Sequence, residues 1–307
     1  MKKLSIRKYG DAGVLYLKEL DIPILKSSNK ILVKVLHSSL NAVDWKYRKG
    51  YFSLFTRLFR TNLGFDVVGE VIDSSTSSCR KGDLIMGLFP NLQGGAHSEY
   101  VVLNEGQFIT ISPQMNIIEL AGLPMAGITA WLALTKKAKI KKGDKVLING
   151  GSSGVGHIAI QLAKYYGAEV TSISSRKNQE FCMKLGADYT ISYQDTDIVT
   201  LEKQFDIVFD IVANLPIIKV NQILASKGYY INTNISLRLI VNMIFCRGIK
   251  FVYVSPRIDG FTELYKLIKS QKIRVHIDRI FLFNDIIAAH QYVEQSRTTG
   301  KVIISMQ

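Results

Sequence analysis

Two different hydrophobic rhythms divide the chain. Up to about residue 115, short β-branched runs such as 31–36 and 66–72 alternate with glycine-containing turns at 82–83 and 94–95. Little helical periodicity interrupts this part of the sequence. Short strands separated by turns at this spacing predict a small β barrel or sandwich.

From about residue 116, apolar strands alternate with amphipathic helices. Residues 145–149 are almost fully apolar, as expected for a strand that helices cover on both faces. A helical period follows over 155–166, and then a second strand over 169–174. This alternation predicts parallel strands with right-handed crossovers in a doubly wound α/β sheet. The further predicted elements are a helix at 178–185, strands at 189–192, 205–210, 228–232 and 250–254, a helix at 261–271, a strand at 274–277, a helix at 284–295 and a strand at 302–305.

The composition is that of a well-packed protein with an excess of positive charge. Of 307 residues, 47% are hydrophobic and 21% are charged, which excludes a disordered chain. The formal net charge of +14 favours anionic ligands such as nucleic acids or phosphorylated cofactors. The densest group of lysines, at 136–145, contains no aromatic residue for base stacking, so we expect a solvated loop there.

Cysteine and membrane signals exclude several classes of protein. Cys79, Cys182 and Cys246 are too few and too widely spaced for a disulfide framework or an all-cysteine zinc site. The first ten residues lack the apolar stretch of a secretory signal, and no apolar run approaches the roughly 20 residues that span a bilayer. We therefore expect reduced thiols and a cytoplasmic location.

A glycine-rich turn follows the strand predicted at 145–149. Glycines there let the backbone approach a pyrophosphate, and the start of the next helix supplies N–H donors with a partial positive charge. Ser153 stands where the G-x-G-x-x-G pattern has its middle glycine, so a turn that binds no nucleotide stays open as an alternative. The predicted cofactor-binding residues of this turn are Gly151, Ser152, Ser153, Gly154, Val155 and Gly156.

The end of the second predicted strand distinguishes between two nicotinamide cofactors. An NAD site usually has Asp or Glu about 20 residues after the glycines, where it binds the ribose hydroxyls. Here the strand ends at Ser174 and continues into Arg176 and Lys177, while Glu169 lies at its opposite end. Two cations, a serine hydroxyl and no carboxylate suit an adenosine 2′-phosphate, which predicts NADPH. An ordinary exposed surface is the alternative for these two cations.

Seven short motifs occur in order along nearly the whole chain. They are NAVDWK at 41–46, GFDVVGEV at 64–71, GGAHSEYV at 94–101, LPMAGITAW at 123–131, QLAK at 161–164, LGAD at 185–188 and GKV at 300–302. In combination they resemble the zinc-independent quinone oxidoreductase branch of the medium-chain dehydrogenase/reductase superfamily. Within that branch the sequence is most similar to the quinone oxidoreductase-like and alkenal/enone reductase group.

The resemblance implies a domain organisation and an assembly. Residues 1–115 with 256–307 would form a GroES-like catalytic domain, and residues 116–255 a Rossmann dinucleotide-binding domain. The active cleft would lie between the two domains. A homodimer joined along the strand edge at 250–254 is also implied.

The resemblance further implies roles for individual residues. Asn41 would lie near the nicotinamide, on a loop that Asp44 orients, and Thr129 would contact the cofactor. On the residues alone, Asn41 and Asp44 are equally compatible with a turn that caps its own backbone. The positions implied at or beside the 2′-phosphate are Ser174, Lys177 and Tyr193.

The sequence departs from the zinc-dependent members of the superfamily. Those relatives carry a cysteine near position 41 and Gly-His-Glu where this chain has Gly64, Phe65 and Asp66. Because these ligands are missing, we expect no metal and no polarisation of the substrate by zinc. His97 and His290 have no partner at ligand spacing and are expected to be structural.

The expected reaction is therefore direct hydride transfer from NADPH to a quinone or an α,β-unsaturated carbonyl. Such acceptors need little activation, because conjugation delivers the charge onto an oxygen, and the protein mainly orients the reactants. Asn41, Lys46 and Tyr51 are the candidate catalytic residues. The resemblance implies that Lys46 and Tyr51 lie on a loop facing the substrate cleft, where they would stabilise or protonate that oxygen. Both could equally be surface groups.

Two other functions stay open. An enoyl-thioester reductase would use the same fold and cofactor on a longer acyl substrate. A nucleotide-sensing protein that binds RNA or membranes is the second, and the apolar stretch at 237–245 would be its contact surface, although we favour a core, cleft or dimer-interface role for that stretch. The favoured partners are a small-molecule substrate and a second copy of the chain, without nucleic acid or membrane.

Overall fold

The chain forms two compact units. The computed structural model describes residues 1–51, 62–90, 93–196, 204–234, 243 and 248–306. The first unit comprises Met1–Ile128, Val254–Lys269 and Val275–Gln307, and the second comprises Thr129–Tyr253 and Ser270–Arg274. Most of the apolar stretch at 237–245, and Cys246, lie outside the described residues. The predicted domain boundaries at 115/116 and 255/256 stay a prediction.

Strands dominate the first unit, and strands and helices alternate in the second. The strands of the described chain are β1 (Lys2–Ile6), β2 (Leu15–Glu19), β3 (Lys30–Leu40), β4 (Asp66–Ser74), β5 (Leu84–Leu88), β6 (Tyr100–Asn104), β7 (Phe108–Ile111), β8 (Lys145–Asn149), β9 (Glu169–Ser174), β10 (Tyr189–Ser192), β11 (Phe205–Asp210), β12 (Leu224–Asn232), β13 (Ile249–Phe251), β14 (Ile277–Leu282) and β15 (Lys301–Ser305). The α-helices are α1 (Ala42–Lys49), α2 (Ile117–Ala121), α3 (Pro124–Trp131), α4 (Gly156–Tyr165), α5 (Gln179–Lys184), α6 (Ile217–Ile223), α7 (Ile258–Lys269) and α8 (Ile286–Glu294).

A seven-stranded sheet organises the first unit. Its order is β14-β15-β3-β4-β5-β7, and β6 also pairs with β3. All neighbours are antiparallel except β14 and β15. The last strand therefore lies beside β3, with Val302 opposite Leu40, so residues from both ends of the chain meet in one sheet.

Helix α1 corrects the prediction of a loop around residue 41. Asn41 has an extended backbone, with φ −122° and ψ 157°, and Asp44 accepts a 2.8 Å hydrogen bond from its N–H. A carboxylate at this third helical position satisfies a donor that the helix start leaves without an internal partner. The segment is polar and only eight residues long, so its hydrophobic pattern gives little indication of a helix.

A six-stranded parallel sheet organises the second unit. Its order is β10-β9-β8-β11-β12-β13. Strand order reverses between β8 and β11, and in doubly wound sheets ligands bind at the carboxyl ends of the strands at such a point. The prediction of a doubly wound parallel sheet is confirmed. The glycine turn follows β8 and therefore lies at the point of reversal.

One predicted strand, at 274–277, is wrong in position. The sheet strand begins only at Ile277, as β14. Arg274 instead forms a reciprocal pair of hydrogen bonds with the side chain of Gln161 on α4, at 2.9 and 2.8 Å. Its backbone N–H and C=O are thereby satisfied outside any sheet.

No helix in the described part of the chain combines the length and the apolar character that crossing a membrane requires.

Candidate functional site

The glycine turn of the second unit is packed too closely for larger residues. A Cβ on Gly151 would lie 1.9 Å from the Oγ atom of Ser172 on β9, and a Cβ on Gly156 would lie 2.1 Å from the carbonyl oxygen of Gly150. The turn is also held to β9, because the N–H groups of Gly150 and Gly151 both donate to the carbonyl of Ile173, at 3.0 and 2.9 Å. Glycine is therefore a steric requirement at positions 151 and 156.

Ser153, which interrupts the expected glycine pattern, supports the start of α4. Its Oγ accepts a hydrogen bond from the N–H of Gly156 at 3.1 Å, and its own N–H donates to Gly150 at 3.0 Å. Ser152 accepts a 3.0 Å bond from the side chain of Asn178. Residues 152–155 stay partly exposed. A closely packed turn before a ten-residue helix has the shape and the positive end that a pyrophosphate requires.

The predicted phosphate-binding residues lie at the ends of β9 and β10. Arg176 and Lys177 are exposed in a short 3₁₀ turn after β9, and the side chain of Tyr193 is 64% exposed after β10. The N–H of Tyr193 donates to the carbonyl of Ser174 at 3.1 Å. Ser174 itself is buried, and its hydroxyl donates to the carbonyl of Ser175 at 3.2 Å. The structure thus brings all four predicted residues to one edge of the sheet.

A carboxylate that is not among the predicted site residues lies at the same edge. Asp195 accepts a hydrogen bond from the Nε atom of Arg176 at 3.1 Å and a second one from its Nη2 atom. The guanidinium holds the pKa of Asp195 below its usual range. The prediction of no carboxylate concerned the end of β9 alone, where the sequence has none. Asp195 follows β10, and it reaches this site because neighbouring parallel strands bring their carboxyl ends together.

A cavity of about 450 Å³ opens at these strand ends. Asn149, at the end of β8, donates from Nδ2 to Asp210 at 2.7 Å and to Asn214 at 2.8 Å. The apolar part of the lining includes Ile173, Ile191, Leu215 and Pro216. Apolar walls with a few fixed polar groups suit a flat heterocycle such as adenine. Thr129, predicted to contact the cofactor, is buried in α3.

In the first unit, the side chain of Asn41 is bound on both sides by buried charges. Its Oδ1 atom accepts a 2.6 Å hydrogen bond from Nζ of Lys301, and its Nδ2 atom donates to Oδ2 of Asp66 at 2.9 Å. Asp66 and Lys301 are 0% and 3% exposed, whereas Asn41 is partly exposed. Neither partner is among the site residues predicted from sequence, although the motifs at 64–71 and 300–302 contain them.

Asp44 joins the segment before β4 to α1. In addition to its bond from Asn41, it accepts a 2.7 Å hydrogen bond from the N–H of Gly64. Burial raises the pKa of Asp44 to about 7, although the two backbone donors and Lys301 act in the opposite direction. Asp44 thus contacts the backbone of both Asn41 and Gly64, and its role in orienting Asn41 stays a prediction.

His97 and His290 are neighbours rather than isolated residues. Their rings meet edge to face, with centroids 5.7 Å apart, and both are buried. Burial lowers the pKa of His97 to about 4, and burial together with His97 and Arg48 lowers the pKa of His290. Both rings are therefore neutral near pH 7.

Lys46 and Tyr51 share one neighbour, Trp45. The rings of Trp45 and Tyr51 meet at 90° with centroids 5.8 Å apart, and Nζ of Lys46 lies 5.9 Å from the Trp45 ring centre. Burial lowers the pKa of Lys46. The side chain of Tyr51 is 66% exposed. Lys46 belongs to α1, so its predicted place on a loop is wrong.

Comparison with known proteins identifies the family. Residues 27–113 match the family described as alcohol dehydrogenase GroES-like domain, and residues 185–304 match the family described as zinc-binding dehydrogenase. The chain is 31% identical to the 2-methylene-furan-3-one reductase of Solanum lycopersicum, covering 99% of this chain and 79% of that protein. The chain belongs to the medium-chain dehydrogenase/reductase superfamily.

Two further similarities support the assignment to this superfamily of oxidoreductases. The NADPH-dependent alkenal/one oxidoreductase of Arabidopsis thaliana is 30% identical, covering 99% of this chain and 79% of that protein. The structure of the quinone oxidoreductase from Coxiella burnetii matches with a TM-score of 0.93 and 30% identity, covering 100% of this chain and 99% of that one. The predicted family and the predicted α/β fold with a GroES-like N-terminal part are confirmed.

One matched family is described as zinc-binding, which raises the question whether this medium-chain dehydrogenase/reductase has the side chains to bind zinc. Phe65 and Asp66 stand where the zinc-dependent members have His and Glu. Among the described residues, no group of three or more His, Cys, Asp or Glu is close enough to hold a metal ion. Asp66 is instead bonded to Asn41, Ser39 and the N–H of Met125.

Proposed function

We propose that this oxidoreductase transfers hydride from NADPH to a quinone or an α,β-unsaturated carbonyl without zinc. The observation that carries the cofactor assignment is the pair of exposed cations, Arg176 and Lys177, directly after β9. The substrate class is supported by the names of the relatives in tomato, Arabidopsis and Coxiella.

The second unit would bind the cofactor. The turn at 151–156 fits a pyrophosphate. Because Gly151 and Gly156 carry no side chain, the pyrophosphate could contact the backbone N–H groups of the turn directly. Arg176 and Lys177 would hold the 2′-phosphate with Tyr193 beside it, while the carbonyl of Ser174 positions Tyr193. Thr129 is proposed as a further contact of the cofactor. When bound, NADPH supplies the hydride.

Residues of the first unit would serve the acceptor. Asn41 presents a fixed amide, which is suited to orienting a reacting partner by hydrogen bonding. Hydride addition converts an enone into an enolate, which takes one proton at its α-carbon, and converts a quinone into a quinol anion, which takes one proton on oxygen. Lys46, whose pKa burial lowers, or Tyr51 would pass that proton on from solvent. The product is the saturated carbonyl or the quinol.

The test is NADPH oxidation against a panel of quinones, 2-alkenals and an enoyl thioester, with NADH in parallel. We expect turnover of the first two substrate classes and about a 10-fold or greater preference for NADPH, because a phosphate adds charge-assisted hydrogen bonds. Turnover of the thioester alone would instead assign an enoyl-thioester reductase. NADPH binding without any turnover would contradict the enzymatic function, and binding to RNA or anionic vesicles at rising salt would then be measured.

We also propose that the protein is a homodimer joined along β13. Within the described residues, β13 pairs only with β12 and leaves its other edge unpaired in the sheet. An unpaired strand edge is a template for pairing with a second chain. Sedimentation equilibrium tests this assembly, and a monomer at micromolar concentration would contradict it. The cytoplasmic location stays a prediction.

A further inference from the structure

We propose that Lys301 and Asp66 form a buried positioning pair, which fixes the side-chain amide of Asn41 in one orientation and leaves one of its Nδ2–H groups to a reacting partner. The inference rests on the proposed function only in assigning Asn41 to the reaction. The orientation itself follows from the contacts of the three side chains.

The surroundings of Lys301 match a protonated ammonium group. Its Nζ atom lies 2.6 Å from Oδ1 of Asn41, 3.3 Å from the carbonyl of Leu40 and 3.5 Å from Oδ2 of Asp66. An ammonium has three N–H donors and no acceptor, so three oxygen partners satisfy it. Burial lowers the pKa of Lys301, while Asp66 and Asp44 act in the opposite direction.

The surroundings of Asp66 match an ionised carboxylate. Its Oδ1 atom accepts a 2.7 Å hydrogen bond from the N–H of Met125. Its Oδ2 atom accepts from the hydroxyl of Ser39, from Nδ2 of Asn41 at 2.9 Å, and faces Lys301. All these groups are donors, and a carboxylate offers only acceptors, so the site is fully matched.

Only one orientation of the Asn41 amide satisfies both neighbours. A rotation by 180° would turn Nδ2 toward the ammonium of Lys301, leaving two donors face to face, and Oδ1 toward the carboxylate of Asp66. Both clashes would occur between buried groups, where unpaired charges are costly. Among the described residues, the second Nδ2–H of Asn41 has no protein partner, and this residue is partly exposed.

Stability alone is a poor reason for this arrangement. Replacing a buried ion pair with apolar residues of similar volume is often neutral or stabilising, because desolvation offsets the attraction of the charges. A pair that contacts a partly exposed amide on both of its polar atoms has a more specific effect. It removes the freedom of that amide before any ligand arrives, which is preorganisation.

The test follows the amide of Asn41 directly, with or without turnover. In protein labelled with ¹⁵N-asparagine, the side-chain resonances of Asn41 are assigned through Asn41→Asp, and the exchange of their protons with solvent is measured. In Lys301→Met, we expect exchange about 10-fold or more faster, because the amide rotates once Oδ1 has lost its charged donor. Unchanged resonances and exchange would overturn the proposal.

The kinetic test separates positioning from binding. With the best acceptor of the panel, Lys301→Met is expected to lower kcat about 10- to 100-fold, the cost of a misplaced reacting group, while KM for NADPH stays within about twofold. An unchanged kcat would overturn the positioning role even if the amide exchanges faster. If the wild type turns over nothing, the proposed function fails, and the spectrum still reports the orientation.

Three further variants keep the test decisive if Lys301→Met unfolds. Lys301→Met with Asp66→Asn removes both charges, so it should fold, yet the amide should lose its fixed orientation.

Ser39→Ala and Ser38→Ala form a matched pair of buried serines. Ser39 donates to the carboxylate of Asp66, whereas Ser38 donates to its backbone carbonyl at 2.7 Å, so only Ser39→Ala should speed the exchange of the Asn41 amide. Equal effects of the two serine variants would contradict the proposal.

Discussion

The two units use charge in opposite ways. In the first, Asp66 and Lys301 are 0% and 3% exposed, and both are hydrogen-bonded to the side-chain amide of Asn41. In the second, Arg176 is 72% exposed and Asp195 39%, and their contact lies in water. A buried pair fixes geometry because its two charges, once separated, have no water to compensate them. An exposed pair separates at little cost, because water solvates both of its charges. The first arrangement suits orientation, and the second suits the capture of an anion from solution.

The largest expected difference is in stability. Asp66→Ala leaves Lys301 buried without a counter-charge, which should lower the free energy of unfolding by about 3–5 kcal/mol. Asp195→Ala, its exposed counterpart, should not change the free energy of unfolding measurably. Urea unfolding followed by circular dichroism measures both, and similar losses in the two variants would show that the buried and the exposed pair do not differ in their contribution to stability.

A second test uses pH. Burial raises the pKa of Asp44 from 3.8 to about 7, so the folded protein holds a proton that the unfolded chain releases. The stabilisation from this group is complete below pH 3.8 and is lost as pH rises through about 7. The free energy of unfolding of the wild type, relative to Asp44→Asn, should therefore fall with a slope of up to about 1.4 kcal/mol per pH unit in this window. Parallel pH profiles in urea titrations would show that Asp44 is not perturbed.

The glycine turn provides a steric test in the second unit. Gly151→Ala places a Cβ against the hydroxyl of Ser172 and should destabilise the protein by about 1–3 kcal/mol through overpacking. NADPH binding, followed by fluorescence titration, should weaken with it. Ser172→Ala removes the nearest atom, so the double variant should recover part of both losses. A double variant no better than Gly151→Ala would show that the contact with Ser172 is not the cause.

The smallest effects concern the exposed charges. Arg176→Ala and Lys177→Ala should each weaken NADPH binding about 10-fold and leave NADH binding unchanged, because each removes one charge-assisted contact to the phosphate. Lys184→Ala is the matched control, since this exposed lysine pairs with Glu180 on α5. Isothermal titration measures the affinities, and equal losses for both cofactors would contradict a role in binding the phosphate.

Removing the charge of Asp195 is expected to have the opposite effect on NADPH binding. Its carboxylate occupies the guanidinium of Arg176 and repels a phosphate. Asp195→Asn should therefore bind NADPH a few-fold more tightly, with a weaker effect at high salt. A loss of affinity would mean that Asp195 positions Arg176 for the phosphate rather than competing with it.

The features that were predictable from sequence are local ones. Strands β8 and β9 have the predicted bounds. β8 is a short apolar run between a charged residue and the glycine turn, and β9 begins after Gly167 and ends before the polar run that contains Arg176. The turn at 149–156 has the predicted place between strand and helix.

The features that sequence could not give are the contacts between distant segments. Asn41 and Lys301 are 260 residues apart, and Asp195 reaches Arg176 from the next strand of the sheet. No spacing rule joins such residues, because the pairing of β15 with β3 and of β10 with β9 creates the proximity. Helix α1 was missed for a different reason, since its polar residues give a weak helical period.

The pairing of β15 with β3 also has a consequence for the order of folding. The glycine turn at Gly151 packs against β9, which follows it closely along the chain. The amide of Asn41, in contrast, is fixed only after β15 has paired with β3. Contacts between distant segments form slowly, because closing a long loop costs entropy before any contact compensates. During refolding, the glycine turn should therefore form first, and the side-chain amide of Asn41 should become ordered later.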